Sequence, residues 1–170
     1  MLDYFLTEAQ KTIVEVADRI GREYILPYAH QWDEEEVCDP RPLWAMSKAD
    51  LFGLFIPEEF GGLGFGTLEN CLAIETLSKY CTGVSTTFAA SGLGAYPILI
   101  AGNKAQKQKY LPAVASGRKL CAFALTEPQA GSDASAIKTT ALKEGDYYVL
   151  NGIKQWITNG ALLTSTSSSP

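Results

Sequence analysis

Leu120-Cys121-Ala122-Phe123-Ala124-Leu125 runs without a break into Thr126-Glu127-Pro128-Gln129-Ala130-Gly131-Ser132-Asp133, and here the chain changes character. Upstream, apolar residues recur at helical spacing. From Leu120 onward they come in short runs separated by turn residues, which is the pattern of strands. Residues 120–125 suit a buried strand, and the residues after them make a tight loop of small and hydroxylated side chains. Residues 136–142 are a second strand candidate. Glu144-Gly145-Asp146 turns the chain into Tyr147-Tyr148-Val149-Leu150. Asn151-Gly152 is a strong hairpin signal, because both central residues of a type I′ turn need positive φ. Ile153-Lys154-Gln155-Trp156-Ile157 is expected to return antiparallel, with Tyr148, Leu150, Ile153 and Ile157 on one buried side.

Working back towards the N-terminus, the reading is helical. Leu6, Ile13, Val16, Ala17, Ile20 and Tyr24 share a face, while Glu8, Lys11, Glu15, Asp18 and Arg22 fall mostly elsewhere. Thr7 and Gln10 make a capping box, and Pro27 marks a kink or stop. A short helix fits residues 42–48. Residues 53–66 carry Pro57 and a cluster of glycines and read as a loop. Thr67 is expected to cap an amphipathic helix with Leu68, Cys71, Leu72, Ile74 and Leu77 inward. Residues 84–101 are the most apolar. With Pro97, Gly92, Gly94 and several hydroxyls, they read as a buried helix at the centre of a bundle rather than a membrane span. Residues 104–114 close the set, with Pro112 as a break and Gly117 as the exit. The fold class is therefore α+β: an N-terminal all-α helical bundle (1–118), an incomplete antiparallel β-barrel domain (119–160) and a low-complexity tail (161–170).

Composition narrows the function. The chain has 170 residues, 46% of them hydrophobic, and a net charge of −5. That is enough for a core. The acidity argues against nucleic acid, which needs clustered Lys and Arg; Lys104, Lys107 and Lys109 read as a solvated helix face. Cys38, Cys71, Cys81 and Cys121 form no C-x-x-C pair and meet a single histidine, so neither a metal site nor a disulfide framework is expected. Buried free thiols are. The N-terminus shows no basic region followed by an apolar one, so no signal peptide is expected. Gly92-Leu93-Gly94 and Gly62-Leu63-Gly64 do not follow strands and are read as packing and turn glycines rather than dinucleotide fingerprints.

Taken singly, the polar residues of the β part are ordinary. Thr126 at a strand end is placed to aim a hydroxyl or simply to cap the turn. Gly131-Ser132-Asp133 reads as an anion-binding turn or an Asx-type turn. Trp156 offers a stacking face or core filling, the latter being commoner for a strand tryptophan. Glu127 precedes Pro128 with no visible partner and is expected to be structural or solvent-facing. His30 has no Ser or Cys partner and is given no catalytic role.

Taken together they are specific. Ile56-Pro57-Glu58-Glu59-Phe60-Gly61-Gly62-Leu63-Gly64, then Ala124-Leu125-Thr126-Glu127-Pro128-Gln129-Ala130-Gly131-Ser132-Asp133, then Leu150-Asn151-Gly152-Ile153-Lys154-Gln155-Trp156-Ile157-Thr158-Asn159-Gly160, in that order, closely resemble the acyl-CoA dehydrogenase family over residues 1–160. The resemblance implies an N-terminal helical domain, a middle β domain and a C-terminal four-helix domain, with FAD held non-covalently. It implies that Phe123, Leu125 and Thr126 line the flavin, with Thr126 on its pyrimidine edge. Gly131 and Ser132 would approach the pyrophosphate, and Ser132 also the acyl-CoA. Trp156 would cover a flavin face, with Ile157 beside it and Thr158 near N5. Phe123 stands where many members have Tyr, so that hydroxyl is missing.

The implied reaction is α,β-dehydrogenation of an acyl-CoA thioester: a glutamate takes the α proton, the β hydride goes to the flavin, and electrons pass to an electron-transferring flavoprotein. The family's catalytic glutamate lies in the C-terminal domain, and no glutamate here occupies a matching position. The chain is thus expected to be a truncated member, inactive alone, from a parent that is a homotetramer, cytoplasmic if bacterial and in the mitochondrial matrix if eukaryotic. The alternatives are an acyl-CoA oxidase, nitroalkane oxidase or monooxygenase on the same scaffold, and a non-catalytic interaction module or truncation product.

Overall fold

The computed structural model describes residues 5–162. The first helix, α1 (Glu8–Ile20), begins as expected. The Gln10 N–H donates to the Thr7 hydroxyl (3.2 Å) and the Thr7 N–H to Gln10 Oε1 (3.0 Å). This reciprocal cap satisfies two donors that a helix start leaves unpaired. A π-helical turn (Gly21–Ile25) carries the chain to Pro27. α2 (Ala29–Glu34) follows; only Trp32 of its six residues is buried, so it carries no apolar stripe that sequence reading finds. The remaining helices are α3 (Arg41–Lys48), α4 (Thr67–Ser78), α5 (Thr82–Ala101) and α6 (Lys104–Ala115).

α1 packs on α4, α4 on α5 and α5 on α6. One apolar cluster gathers Ile13, Ala17, Ile20, Met46, Leu77 and Phe88. A second joins Ile56 and Phe60 to Ala95, Leu111 and Val114. The glycine-rich stretch 53–66 is a loop in backbone, built on 3-10 turns at Leu51–Gly53 and Glu58–Phe60, yet its Leu54, Ile56 and Phe60 are core, while Leu63 and Phe65 are exposed. Phe52 meets Phe88 edge-on at 5.2 Å, a preferred aromatic geometry.

Several helical expectations need correction. Gly66, not Thr67, caps α4: the Gly66 N–H donates to Glu69 Oε2 (2.9 Å). Leu68 and Cys71 are exposed, whereas Asn70, Leu72, Ala73, Thr76 and Leu77 are buried, because α4 lies between α1 and α5 and those neighbours decide its inner faces. Thr82–Ala101 is, among the described residues, the helix long and apolar enough to cross a membrane; here it packs on α4 and α6 with Leu93 and Ile100 exposed, so its burial is one-sided. Pro112 sits inside α6 without ending it, and the Ser116 hydroxyl and N–H both donate to the Pro112 carbonyl. Cys38 and Cys71 are exposed rather than buried, and all four thiols are free. Gly117 makes the exit at φ +66.

In the second half, the described residues hold two strands, β1 (Thr140–Glu144) and β2 (Tyr147–Asn151). They are antiparallel, with Thr140 opposite Asn151 and Glu144 opposite Tyr147. Gly145, at φ +61, turns the chain between them, a conformation open to glycine without Cβ strain. The hairpin therefore lies at 145–146 and not at Asn151-Gly152, where Gly152 instead lies against Thr139. Residues 153–157 do not return as a strand, 120–125 join no ladder, and the candidate at 136–142 begins only at Thr140. Every strand residue is exposed, and Tyr148, Leu150 and Ile153 share no buried side. A sheet face is buried only by a second layer, and the described residues supply none. The tail expected at 161–170 lies, from residue 163 on, outside the described residues.

Candidate functional site

The two motif segments run side by side. The Gln155 N–H donates to the Thr126 carbonyl (2.9 Å), Lys154 Nζ to the Leu125 carbonyl (2.9 Å), and Asn159 Nδ2 to the Cys121 carbonyl (2.9 Å). The segment holding Phe123, Leu125 and Thr126 is thereby tied to the one holding Trp156, Ile157 and Thr158. Phe123 and Leu125 are exposed, and Thr126 and Ile157 are half-buried. Trp156 is 82% exposed, so it does not take the core position commoner for a strand tryptophan. It also holds φ at +60, and Asn159 at +68. A bulky residue in the left-handed region is an outlier, tolerated where surrounding bonds over-determine it and common at functional sites.

The loop between the segments is a tight turn closed by two backbone bonds between Glu127 and Ala130 (3.0 and 3.1 Å). Asp133 Oδ1 accepts from the Ser135 N–H (3.1 Å), which is the Asx turn. Between them, the N–H groups of Gly131 and Ser132 donate to no other described residue, and a Cβ added to Gly131 meets nothing within 4 Å. The turn is open to an anion on that side.

Of the two readings of Glu127, structural or solvent-facing, the structural one holds. It is 4% exposed. Its Oε1 accepts from Lys154 Nζ (2.9 Å), the Thr139 N–H (3.0 Å) and the Thr139 hydroxyl, and its Oε2 from the Lys138 N–H (2.8 Å) and Gln129 Nε2 (2.6 Å). The Thr139 hydroxyl, the Lys138 N–H and the Lys154 ammonium hold this carboxyl far below the usual carboxylate range. A carboxylate so stabilised is a poor proton acceptor near neutral pH. Glu127 is the node that ties the motif loop to the start of β1 and to Lys154. Apart from Gln129, the partners of its carboxylate are 11, 12 and 27 residues away, so no local pattern announces them.

Thr158 also closes one side of a cleft of about 460 Å³ between α4 and α5, whose walls include Thr67, Asn70, Ile74, Ala89, Leu93 and Tyr96. No carboxylate lines it. His30 is exposed, 3.8 Å from Glu34 and remote from the cleft lining. Gly92 and Gly94 lie inside α5, and Gly62 and Gly64 in the 53–66 loop, so neither pair is a strand-to-helix phosphate turn. No group of His, Cys, Asp and Glu able to hold a metal ion occurs among the described residues. The donor set fits a flat, polar-edged group carrying phosphate: an exposed indole, threonine hydroxyls, and open N–H groups at Gly131 and Ser132.

Comparison with known proteins identifies the family. Residues 7–118 match the acyl-CoA dehydrogenase N-terminal domain, and residues 122–167 match the middle domain. A probable acyl-CoA dehydrogenase of Bacillus subtilis is 38% identical over 94% of this chain and 42% of its own length. Butyryl-CoA dehydrogenase from Megasphaera elsdenii superposes with a TM-score of 0.89 at 37% identity, over 95% of this chain and 44% of that one. An acyl-CoA dehydrogenase of Bacillus anthracis, solved complexed with FAD, gives 0.81 at 40% identity over 93% and 27%. The chain spans about two-fifths of the length of the curated relatives it matches. With a helical part and a β part that both match, in order, the chain belongs to the acyl-CoA dehydrogenase family.

Proposed function

We propose that these residues form one wall of an FAD-dependent acyl-CoA dehydrogenase site. One observation carries the reading: the segments 121–126 and 154–159 meet where Thr158 edges the α4–α5 cleft. Thr126 and Thr158 offer hydroxyls to the flavin's polar edge, Trp156 covers a face, and Phe123, Leu125 and Ile157 supply apolar contact. Gly131 and Ser132 hold the pyrophosphate, with Ser132 also reaching the acyl-CoA. The cleft wall of Ile74, Ala89 and Leu93 suits an acyl chain, each buried CH₂ contributing about 0.8 kcal/mol. FAD, when bound, accepts the hydride from the acyl β carbon.

The chain's own residues bind, orient and exclude water. None of them serves as the base, because no carboxylate lines the cleft and Glu127 is held by Lys154 and Thr139. The 170-residue chain is therefore inactive by itself, and electron delivery to an electron-transferring flavoprotein belongs to the whole family protein. The division into 1–118 and 119–160 is supported by the passage from buried to exposed side chains.

The test is a ligand titration of the chain carrying 5-fluorotryptophan, followed by fluorine NMR. FAD is expected to move the Trp156 signal while Trp32 and Trp44 stay in place, and an acyl-CoA to perturb the cleft without bleaching bound flavin. A Trp156 signal unmoved at millimolar FAD defeats the flavin reading. Bleaching by acyl-CoA defeats the claim of inactivity.

A further inference from the structure

Two arms of the flavin wall reach the same face of α5. The Cys121 N–H donates to the Ser91 hydroxyl (3.0 Å). The Cys121 carbonyl accepts from Asn159 Nδ2 (2.9 Å), and the same Nδ2 donates to the Thr87 carbonyl (3.0 Å). Thr87, Ser91 and Gly94 are spaced i, i+4 and i+7, so they stack on one stripe of the helix. Gly94 lets Cys121 lie against that stripe: a Cβ there would stand 2.6 Å from the Cys121 Cβ and 3.0 Å from the Ala122 N and O. Ser91 is fully buried and Asn159 is 6% exposed. Asn159 holds φ at +68, a conformation asparagine tolerates better than most residues. Its Oδ1 is buried without a partner among the described residues. A buried amide that leaves one atom unpaired is retained for what the other atom does.

We propose that Asn159 is a positioning residue for the flavin wall, clasping residues 121–126 and 156–158 to one stripe of α5 through its Nδ2, with Ser91 as the second jaw. This rests on the flavin reading for its purpose but not for its geometry. Asn159 follows Thr158 directly in the chain, while its side chain bonds only the Thr87 and Cys121 carbonyls and none of the proposed flavin contacts. It fixes the chain one residue after Thr158 and, through the Cys121 carbonyl, two residues before Phe123. The clasp explains why an exposed tryptophan at positive φ has a defined place: the turn carrying it is fixed behind by a side chain that joins both segments. Because Thr87 and Ser91 belong to the helix that also walls the cleft, the same bonds set the flavin wall in register with the acyl cleft.

The test uses the full chain with 5-fluorotryptophan and five substitutions, the fifth being Trp156→Phe. Asn159→Ala removes both donors. Asn159→Asp keeps the shape and replaces the donors with a charge facing two carbonyls. Asn159→Gly keeps the positive φ and loses the amide. Ser91→Ala removes the second jaw. Without ligand, the three Asn159 variants are expected to shift and broaden the Trp156 resonance, leaving Trp32 and Trp44 in place, and to speed amide exchange at Cys121 about ten-fold. Ser91→Ala should give the Cys121 effect with a smaller Trp156 shift. A return of the wild-type Trp156 signal in Asn159→Gly would assign the effect to backbone conformation and overturn the clasp. So would an unchanged Trp156 signal in Asn159→Ala. With FAD, wild-type binding is expected to weaken at least about ten-fold in Asn159→Ala while Trp156→Phe retains the Cys121 protection. Equal FAD affinity in wild type and Asn159→Ala overturns the positioning role. Loss of Cys121 protection in Asn159→Ala, in a chain whose wild type binds no FAD, upholds the clasp and defeats only the flavin reading.

Discussion

Residues 8–115 and residues 121–160 use similar proportions of apolar side chain to opposite ends. In the helical region Met46, Leu77 and Leu111 are fully enclosed, and α1, α4, α5 and α6 pack in turn and bury one another's faces. In the second region Leu142, Tyr147, Tyr148, Leu150, Ile153 and Trp156 all stand in solvent. What holds that region is polar: the Glu127 node, the hairpin ladder and the Asn159 clasp. The hydrophobic effect acts on area removed from water, so it stabilises the helical part and leaves the β part dependent on specific hydrogen bonds. The lesson is that a site wall can be shaped by a few buried polar groups before any apolar layer covers it.

The sharpest way to break the comparison is in the helical core. Leu111→Ala should destabilise the chain by about 3 kcal/mol, lowering the midpoint of a circular-dichroism melt by about 6–12 °C. A melt unchanged within 2 °C, an approximate limit set by ordinary surface effects, would mean that the helical part does not owe its stability to enclosure.

Glu127→Ala is expected to act locally. Amide exchange at Lys138 and Thr139, whose N–H groups it accepts, should rise about ten-fold or more while the helical melt hardly moves. A melt that collapses as in Leu111→Ala would show the two regions to be one cooperative unit. The pH dependence sharpens the same point. The Glu127 carboxyl is held below its ordinary value of 4.5, so its contribution stands in full above that value. The contribution is lost only as pH falls through the lowered folded-state value. Protection of the Lys138 and Thr139 amides should therefore persist at about pH 4. Its loss between about pH 5 and pH 4 would mean that the node does not stabilise the carboxylate.

The smallest effect belongs to the exposed strands. Leu150→Thr, at a position 73% exposed, should change stability by less than about 0.5 kcal/mol. It should also reduce self-association seen by light scattering, since an exposed apolar strand edge invites pairing. A loss of several kcal/mol would mean that Leu150 is covered in solution.

Much of the helical part was legible because its signals are local. The Thr7–Gln10 cap, the exit at Gly117 and the α1 stripe depend on residues within a turn or two of one another. The errors came where neighbours decide: which sides of α4 face α1 and α5, and whether Pro112 ends a helix that continues to Ala115. In the β part, local turn chemistry marks a turn at 144–146 and a stronger hairpin signal at Asn151-Gly152. Gly145 turned the chain and Asn151-Gly152 did not, because Gly152 lies against Thr139. The site residues rest on the family resemblance, and the structure ties the segment 121–126 that holds some of them to the segment 154–159 that holds the others. The residues that join them, Glu127, Lys154, Asn159, Ser91 and Thr87, act across 27, 38 and 72 positions and carry no local signature.

By itself, the sequence determined the class of fold, the order of helical and β parts, and the family, because period, caps and contiguous motifs are written within a few residues. Only the tertiary structure decided that Trp156 is exposed, that Glu127 is buried and paired, and that Asn159 joins two segments to α5. Those outcomes depend on which distant groups meet in space, and the energy of a buried polar atom is set by its partner rather than by its neighbours in the chain.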